Sequence, residues 1–377
     1  MINVSLIRKK TLLFLSILGI FFNTFSVGNE FPIYGYFFFV TGSLILFFFQ
    51  GSVYKSQFIY FIFLSFVFLL YLPINPALGF SQISFFLLLL PMFIIPWLFS
   101  ANDLSSSIIV ASFWLLILFN FLFFLGVGVN YSYGAPRMQG LMSEPSAIAL
   151  PSTIIILMGL LSNRKHYTFV GFLSVVMSGS LISIITPFLA ILLYFVISRA
   201  SNFLRFTATC FLFFAFLGFL QFIIWLPFEQ SLISRLQSGI LSILSWGQSG
   251  YNPRLDYVLG LISYLLDSES FIFGFGLNSA SIINIEDHGF RRTFSLPFEI
   301  LFSFGVLGFL VFVAANLLVI YISKENLKVN VAFASLFSYC WVNSAMGITL
   351  QILYISILIM MVKNLFSRSC PRILRAK

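Results

Sequence analysis

Residues 105–128 read SSSIIVASFWLLILFNFLFFLGVG, with no ionisable side chain from end to end. A run this long and this apolar matches the ~20 residues that a helix needs to cross the hydrocarbon core of a bilayer. Because a backbone in hydrocarbon must satisfy its own N–H and C=O groups, the run predicts a transmembrane helix. The pattern repeats outward in both directions, at about 11–27, 32–50, 57–73, 82–100, 145–161, 167–180, 182–198, 204–226, 297–322, 330–346 and 348–363. The predicted class is therefore all-α: a polytopic integral membrane protein of about 12 transmembrane helices, one transmembrane domain over 1–377. The turns at 178–180 and 343–347 are so tight that the flanking spans fall below the usual length. Short buried helices or a re-entrant pair would satisfy the backbone equally well there.

Composition points the same way. The 377 residues are 60% hydrophobic and 8% charged, with 52 Phe, which leaves no stretch for a soluble domain of ordinary size. The net charge of +9 sits mainly in short loops and the tail. It implies attraction to anionic membrane lipid, with nucleic acid excluded as a partner. Cys210, Cys340 and Cys370 lie in or near apolar runs or the tail, so no disulfide framework is expected. Arg8, Lys9 and Lys10 precede the first run as in a signal peptide. No small-residue cleavage site follows, and a retained anchor is predicted.

The predicted spans place all eight lysines on one side of the membrane. The five basic residues on the other side are all arginines: Arg137, Arg235, Arg254, Arg291 and Arg292. Lys and Arg in short loops mark the cytoplasmic side, so both termini are expected there. Arginines kept on the outer face need a separate reason, and a planar guanidinium that forks onto phosphate or carboxylate supplies one.

One outer segment, 227–296, departs from the span-and-turn pattern. Residues 228–246 space Leu232, Leu236, Ile240 and Leu244 four apart, and 254–267 present a broad apolar face from Leu255 to Leu266. Both read as amphipathic helices, separated by the turn 247–253 and followed by a break at Gly274-Phe-Gly276. The segment is expected to fold as a cap over the outer ends of the spans.

The sharpest local signal is Arg137-Met-Gln-Gly140-Leu-Met-Ser-Glu144-Pro145-Ser146, which opens the sixth span. One reading is a helix start, with Ser143 as N-cap, Glu144 against the positive end of the dipole, and Pro145 where no N–H partner is needed. The other is a buried Arg137–Glu144 pair, expensive unless it has a use. Pro151 is expected to kink that span and open a cavity. Arg235 and Arg254, near the starts of the two cap helices, either meet lipid phosphate or converge with Arg137 on a diphosphate. Asp256 is an alternative partner for Arg254. In Glu286-Asp287-His288-Gly289-Phe290-Arg291-Arg292, one His with two adjacent acids is a weak metal set. His288 there is either a general base or part of a solvated loop end. The chain has no G-x-x-x-x-G-K-[ST], H-E-x-x-H or G-x-S-x-G motif, and no Asp-x-Asp pair to hold a metal on a nucleotide sugar.

The Arg137…Gly140…Ser-Glu-Pro-Ser146 loop, the arginine-bearing outer segment with Arg235, Arg254 and Gly274-Phe-Gly276, and the closing Phe304-Gly-Val-Leu-Gly308 resemble the bacterial O-antigen polymerases. These are polytopic inner-membrane glycosyltransferases with a large periplasmic loop near the C-terminal end. The resemblance covers most of the chain in layout and about 137–146 and 235–308 in residues. It implies transfer of a glycan from undecaprenyl diphosphate to the end sugar of another lipid-linked oligosaccharide repeat unit, releasing the lipid diphosphate. No metal and no other cofactor is implied. Glu144, Arg137 and His288 would be the catalytic residues, and Arg254, Arg235, Arg291 and Arg292 would bind diphosphate or glycan. A separate chain-length regulator protein is an implied partner. Related O-antigen ligases carry a His-Asn about ten residues before the closing Gly-x-x-Gly, where this chain has Phe294-Ser295, which favours polymerase over ligase. A flippase of lipid-linked oligosaccharide is the rival from another class. It should line a central cavity with charge and carry no large outer cap.

Overall fold

The computed structural model describes residues 13–14, 17, 25–27, 31–33, 95–96, 99–131, 136–140, 145–198, 253–276, 295–322, 325–342 and 348–369. The expected spans at 57–73 and 204–226, the cap helix at 228–246, and most of the spans at 11–27, 32–50 and 82–100 lie outside them. The described residues are mostly helical: α1 (Ala101–Phe124), α2 (Ala149–Leu161), α3 (Lys165–Ser178), α4 (Leu181–Ile197), α5 (Pro253–Leu266), α6 (Leu296–Ile322), α7 (Leu327–Val342) and α8 (Ile348–Ser369). Two small antiparallel pairs interrupt the all-α expectation: β1 (Phe25–Val27) with β2 (Phe31–Ile33), and β3 (Val129–Asn130) with β4 (Arg137–Met138). The first pair takes residues assigned to the ends of two spans. Pro32 has no N–H for a helix, but it is tolerated in a two-stranded ribbon.

Local chemistry sets the helix ends. α1 begins four residues before the expected span because Ser100 caps it: its Oγ accepts from the Asp103 N–H at 3.1 Å and donates to the Asp103 carboxylate at 2.7 Å. It stops at Phe124, short of the expected 128, where Gly126 and Gly128 turn to positive φ. α3 ends on Gly179, left-handed at φ 52, and α4 starts after Ser180, so the tight turn expected at 178–180 is present. Pro151 falls in the first turn of α2, behind a 3-10 turn at Pro145–Ile148, where its missing N–H breaks no helical bond. The kink expected there is found elsewhere, at Gly305 of α6.

α2 and α7 form the centre. Every residue from Ala149 to Gly159 is buried, as is every residue from Val329 to Leu336. α3 and α4 follow each other across the tight turn yet hardly touch, since both pack on α2, and α4 also packs on α7. Small residues allow the close approach: Gly159 faces Thr168, and Gly171 faces Ile156. Deep between α1 and α3, Asn120 donates to Ser174 Oγ at 2.7 Å and to the Leu116 carbonyl at 2.8 Å.

The surface is apolar where a soluble protein is polar. Ser152, Ser183, Thr186 and Ser335 are fully buried, while Trp114, Phe121 and Phe124 of α1, Phe169 and Phe172 of α3, and Val311 of α6 are exposed. Such a surface is stable against lipid and aggregation-prone in water. Two helices, Ala101–Phe124 and Leu296–Tyr321, are long and apolar enough to cross a membrane.

The bundle has two distinct ends. At one, Asn326 donates to Asn102 at 3.0 Å, Lys328 to Ser106 at 3.2 Å and Asn364 to Glu325 at 3.3 Å. These bonds gather the starts of α1 and α7 with the ends of α6 and α8, and Lys363 lies beside Asn364. The other end carries Arg137.

Candidate functional site at the arginine end

Arg137 is presented by a hairpin that glycines close. The N–H groups of Gln139 and Gly140 both donate to the Gly128 carbonyl, at 2.9 and 3.0 Å, and Asn130 Nδ2 donates to Gln139 Oε1 at 2.7 Å. A Cβ on Gly128 would lie 2.7 Å from the Gly140 carbonyl oxygen, and one on Gly140 would lie 2.6 Å from the Phe119 ring. Gly140 also stands at φ 62, so only glycine fits without strain. Met138, the next residue along β4, is fully buried and anchors the strand.

Arg137 itself is only 4% exposed. Its Nε donates to the Ser178 carbonyl at 3.0 Å, at the turn that ends α3 and starts α4. A carbonyl at a helix C-terminus carries partial negative charge, so this acceptor suits a cation. Glu144, the expected partner of Arg137, and Ser143, the expected N-cap, lie outside the described residues. Their neighbours Pro145 and Ser146 do not: both are buried in the 3-10 turn that packs against α3 and α4. Arg137 is thus held where β4 packs on α1 and α3, at the turn into α4.

A second junction lies on α5 and α6. The cap helix expected at 254–267 is α5, with Arg254 as its second residue. Its Leu261 and Leu265 bury against Phe302 of α6. Beyond it, the chain turns through the 3-10 segment Glu269–Phe271 and docks into a break in α6. Gly305 leaves helical geometry at φ 65, ψ −168. The broken ladder is repaired from outside the helix: Phe275 N–H donates to the Phe302 carbonyl at 3.0 Å, Gly276 to Ser303 at 3.0 Å, and Leu307 to Ile272 at 3.2 Å. Gly274 and Gly305 meet back to back; a Cβ on Gly305 would lie 2.3 Å from the Ile272 oxygen. The two glycine motifs read separately from the sequence, Gly274-Phe-Gly276 and the one containing Gly305 and Gly308, form one clasp.

Glu299 stands one turn before that break, half-buried, and Ser303 Oγ donates to its Oε1 at 3.4 Å. The sequence reading did not single out Glu299, one of the acids that lie in an apolar run. It also passed over the Ser178 carbonyl, since a backbone acceptor has no mark in the sequence. A buried Tyr354–Asn316 hydrogen bond joining α8 to α6 was missed as well. Arg235, His288, Arg291 and Arg292 lie outside the described residues, and of Arg254 only the helix position is described. Comparison with known protein families and with curated proteins gives no match.

Proposed function

We propose that the chain is a multi-pass glycosyltransferase of the bacterial inner membrane, with both termini cytoplasmic. It polymerises undecaprenyl-diphosphate-linked repeat units of O-antigen or capsule at the periplasmic face. The observation that carries this reading is Arg137: buried, held on a rigid hairpin, and at the opposite end of the bundle from Lys328 and Lys363. A burial this deep is costly for a guanidinium that only marks topology, and it suits one aimed at a fixed anion.

In the proposed reaction the hydroxyl of an acceptor sugar attacks the anomeric carbon of the donor glycan. The carbon–oxygen bond to the lipid diphosphate breaks, and the hydroxyl proton passes to a base. Arg137 and Arg254, with Arg235, Arg291 and Arg292 as further donors, stabilise the departing charge, which a metal does in nucleotide-sugar enzymes. Glu144, His288 and Glu299 are the candidates for the base.

The test separates surface glycan by length in cells carrying Arg137→Ala or Arg137→Lys. Both are expected to lower polymer by on the order of 100-fold and leave lipid A core with a single repeat unit, because a point charge cannot fork onto two oxygens. Loss of every repeat unit would point instead to a ligase or a flippase. Wild-type ladders at normal protein level would remove Arg137 from the site. Arg254→Lys is expected to fail nearly as badly as Arg254→Ala.

A further inference from the structure

α3 is too short for the bilayer that α1 can cross. Its 14 residues span about 21 Å, against about 36 Å for the 24 of α1 and a hydrocarbon core of about 30 Å. α3 starts well inside. His166 and Tyr167 pack on Phe113, at 6.0 and 4.4 Å between ring centroids, and Phe113 is half way along α1. The α2–α3 turn therefore stops about 16 Å short of the Asn102 end of α1. Yet the turn ends in Asn163-Arg164 and α3 opens with Lys165-His166, with Lys165 exposed and the Arg164 guanidinium 5.5 Å above the Tyr167 ring.

A groove of about 410 Å³ opens beside the turn. Leu160, Phe169 and Phe172 form its apolar wall, each at least half exposed, while Asn163, Lys165 and Thr168 supply its polar rim. Gly159 lets α3 pack closely at its edge, and Asn163 stands at φ 54, fixing the rim. Basic groups held below headgroup level next to an apolar trough match one kind of occupant: acyl chain in the trough, phosphate at the rim.

We infer that the groove at the α2–α3 turn binds an anionic phospholipid, whose phosphate is drawn inward to Lys165 and Asn163 while one acyl chain lies along Phe169 and Phe172. The site rests on the membrane reading of the chain and not on the polymerase reading. It lies toward the opposite end of α3 from Arg137, which bonds at Ser178, and none of its lining residues is proposed for catalysis.

The test uses the full chain in native membranes with a phosphatidylglycerol carrying a photoreactive group on its acyl chain. Labelling is expected to concentrate in the peptide covering 159–172, to be competed by phosphatidylglycerol but not by phosphatidylcholine or inorganic phosphate, and to fall at least 5-fold in Lys165→Gln and recover in Lys165→Arg. Equal labelling of α1 around Trp114 and Phe121, or labelling indifferent to headgroup or to Lys165→Gln, would show an ordinary lipid belt and overturn the site. Competition by inorganic phosphate alone would overturn the lipid as occupant. Absence of labelling anywhere would instead remove the membrane reading. Glycan ladders measured on the same cells report on the polymerase independently, and Lys165→Gln is expected to leave them unchanged.

Discussion

The arginine end has two junctions built on opposite terms. At the first, one long side chain, Arg137, reaches across to a backbone carbonyl 41 residues away. At the second, the polar contacts are all backbone: residues 272–276 and 302–307 are joined by main-chain hydrogen bonds, with the Phe275 ring packed on Phe302 at 5.0 Å, and they come this close because Gly274 and Gly305 have nothing to put between them. The first junction is specific for a guanidinium, which brings donors and charge. The second is specific for the absence of a Cβ, which brings only proximity. A site that must hold an anion has use for the first kind of contact, and a helix broken within an apolar bundle must be closed by something like the second.

The comparison breaks most visibly at Gly305. In Gly305→Ala the new Cβ meets the Ile272 oxygen at 2.3 Å and the Gly274 nitrogen at 2.6 Å, both backbone, and φ stays positive. Loss of most folded protein is expected, read as yield and monodispersity after detergent extraction. Gly126→Ala is the control: it shares the positive φ, but its Cβ meets nothing within 4 Å, so only the backbone term of about 1–2 kcal/mol applies. Equal loss in both variants would reduce the clasp to ordinary backbone strain.

An intermediate effect is expected at Gly140→Ala. Here the obstruction is the Phe119 ring, a side chain that can give way, so the bundle should survive while the hairpin shifts Arg137. Shortened glycan chains at near-normal protein level are the expected readout, and unaltered chains would show that the position of Arg137 tolerates movement. The smallest effect is expected at Asn120→Ala, which removes the α1–α3 bond to Ser174. Interhelical hydrogen bonds of this kind contribute roughly 0.6–1.7 kcal/mol. A modest fall in thermal midpoint with normal glycan is expected, and a polymer defect as deep as that of Arg137→Ala would extend the site into the bundle.

Much of this architecture is legible in the residues, and what is not has definite causes. The existence and order of the helices from 101 to 198 and from 296 to 369 follow from apolar runs, and α5 from the apolar face after Pro253, while ends such as those of α1 and α8 shift by four to six residues because caps and glycines set them. The break at Gly305 is hidden by its surroundings. Residues 296–322 are apolar apart from Glu299, Ser303 and Asn316 and carry proline only at the second position, so little in them opposes a straight helix. Glycine at 305 permits the break, and the partner segment some thirty residues earlier causes it. Pro151 errs the other way: a strong breaker lost its force because the helix starts only two residues before it. Arg137 was legible as a residue out of place. Its acceptor, the Ser178 carbonyl, was not.

The clasp also determines what can change without consequence. Residues 277–294 leave from Gly276, bonded to the Ser303 carbonyl, and return to Ser295 at the start of α6, so the two ends of this stretch are tethered to one helix. Once the ends of a loop are pinned, doubling its length costs only about 0.6 kcal/mol. A change in the number of residues between Gly276 and Ser295 is therefore expected to leave the packing of α5 on α6 intact.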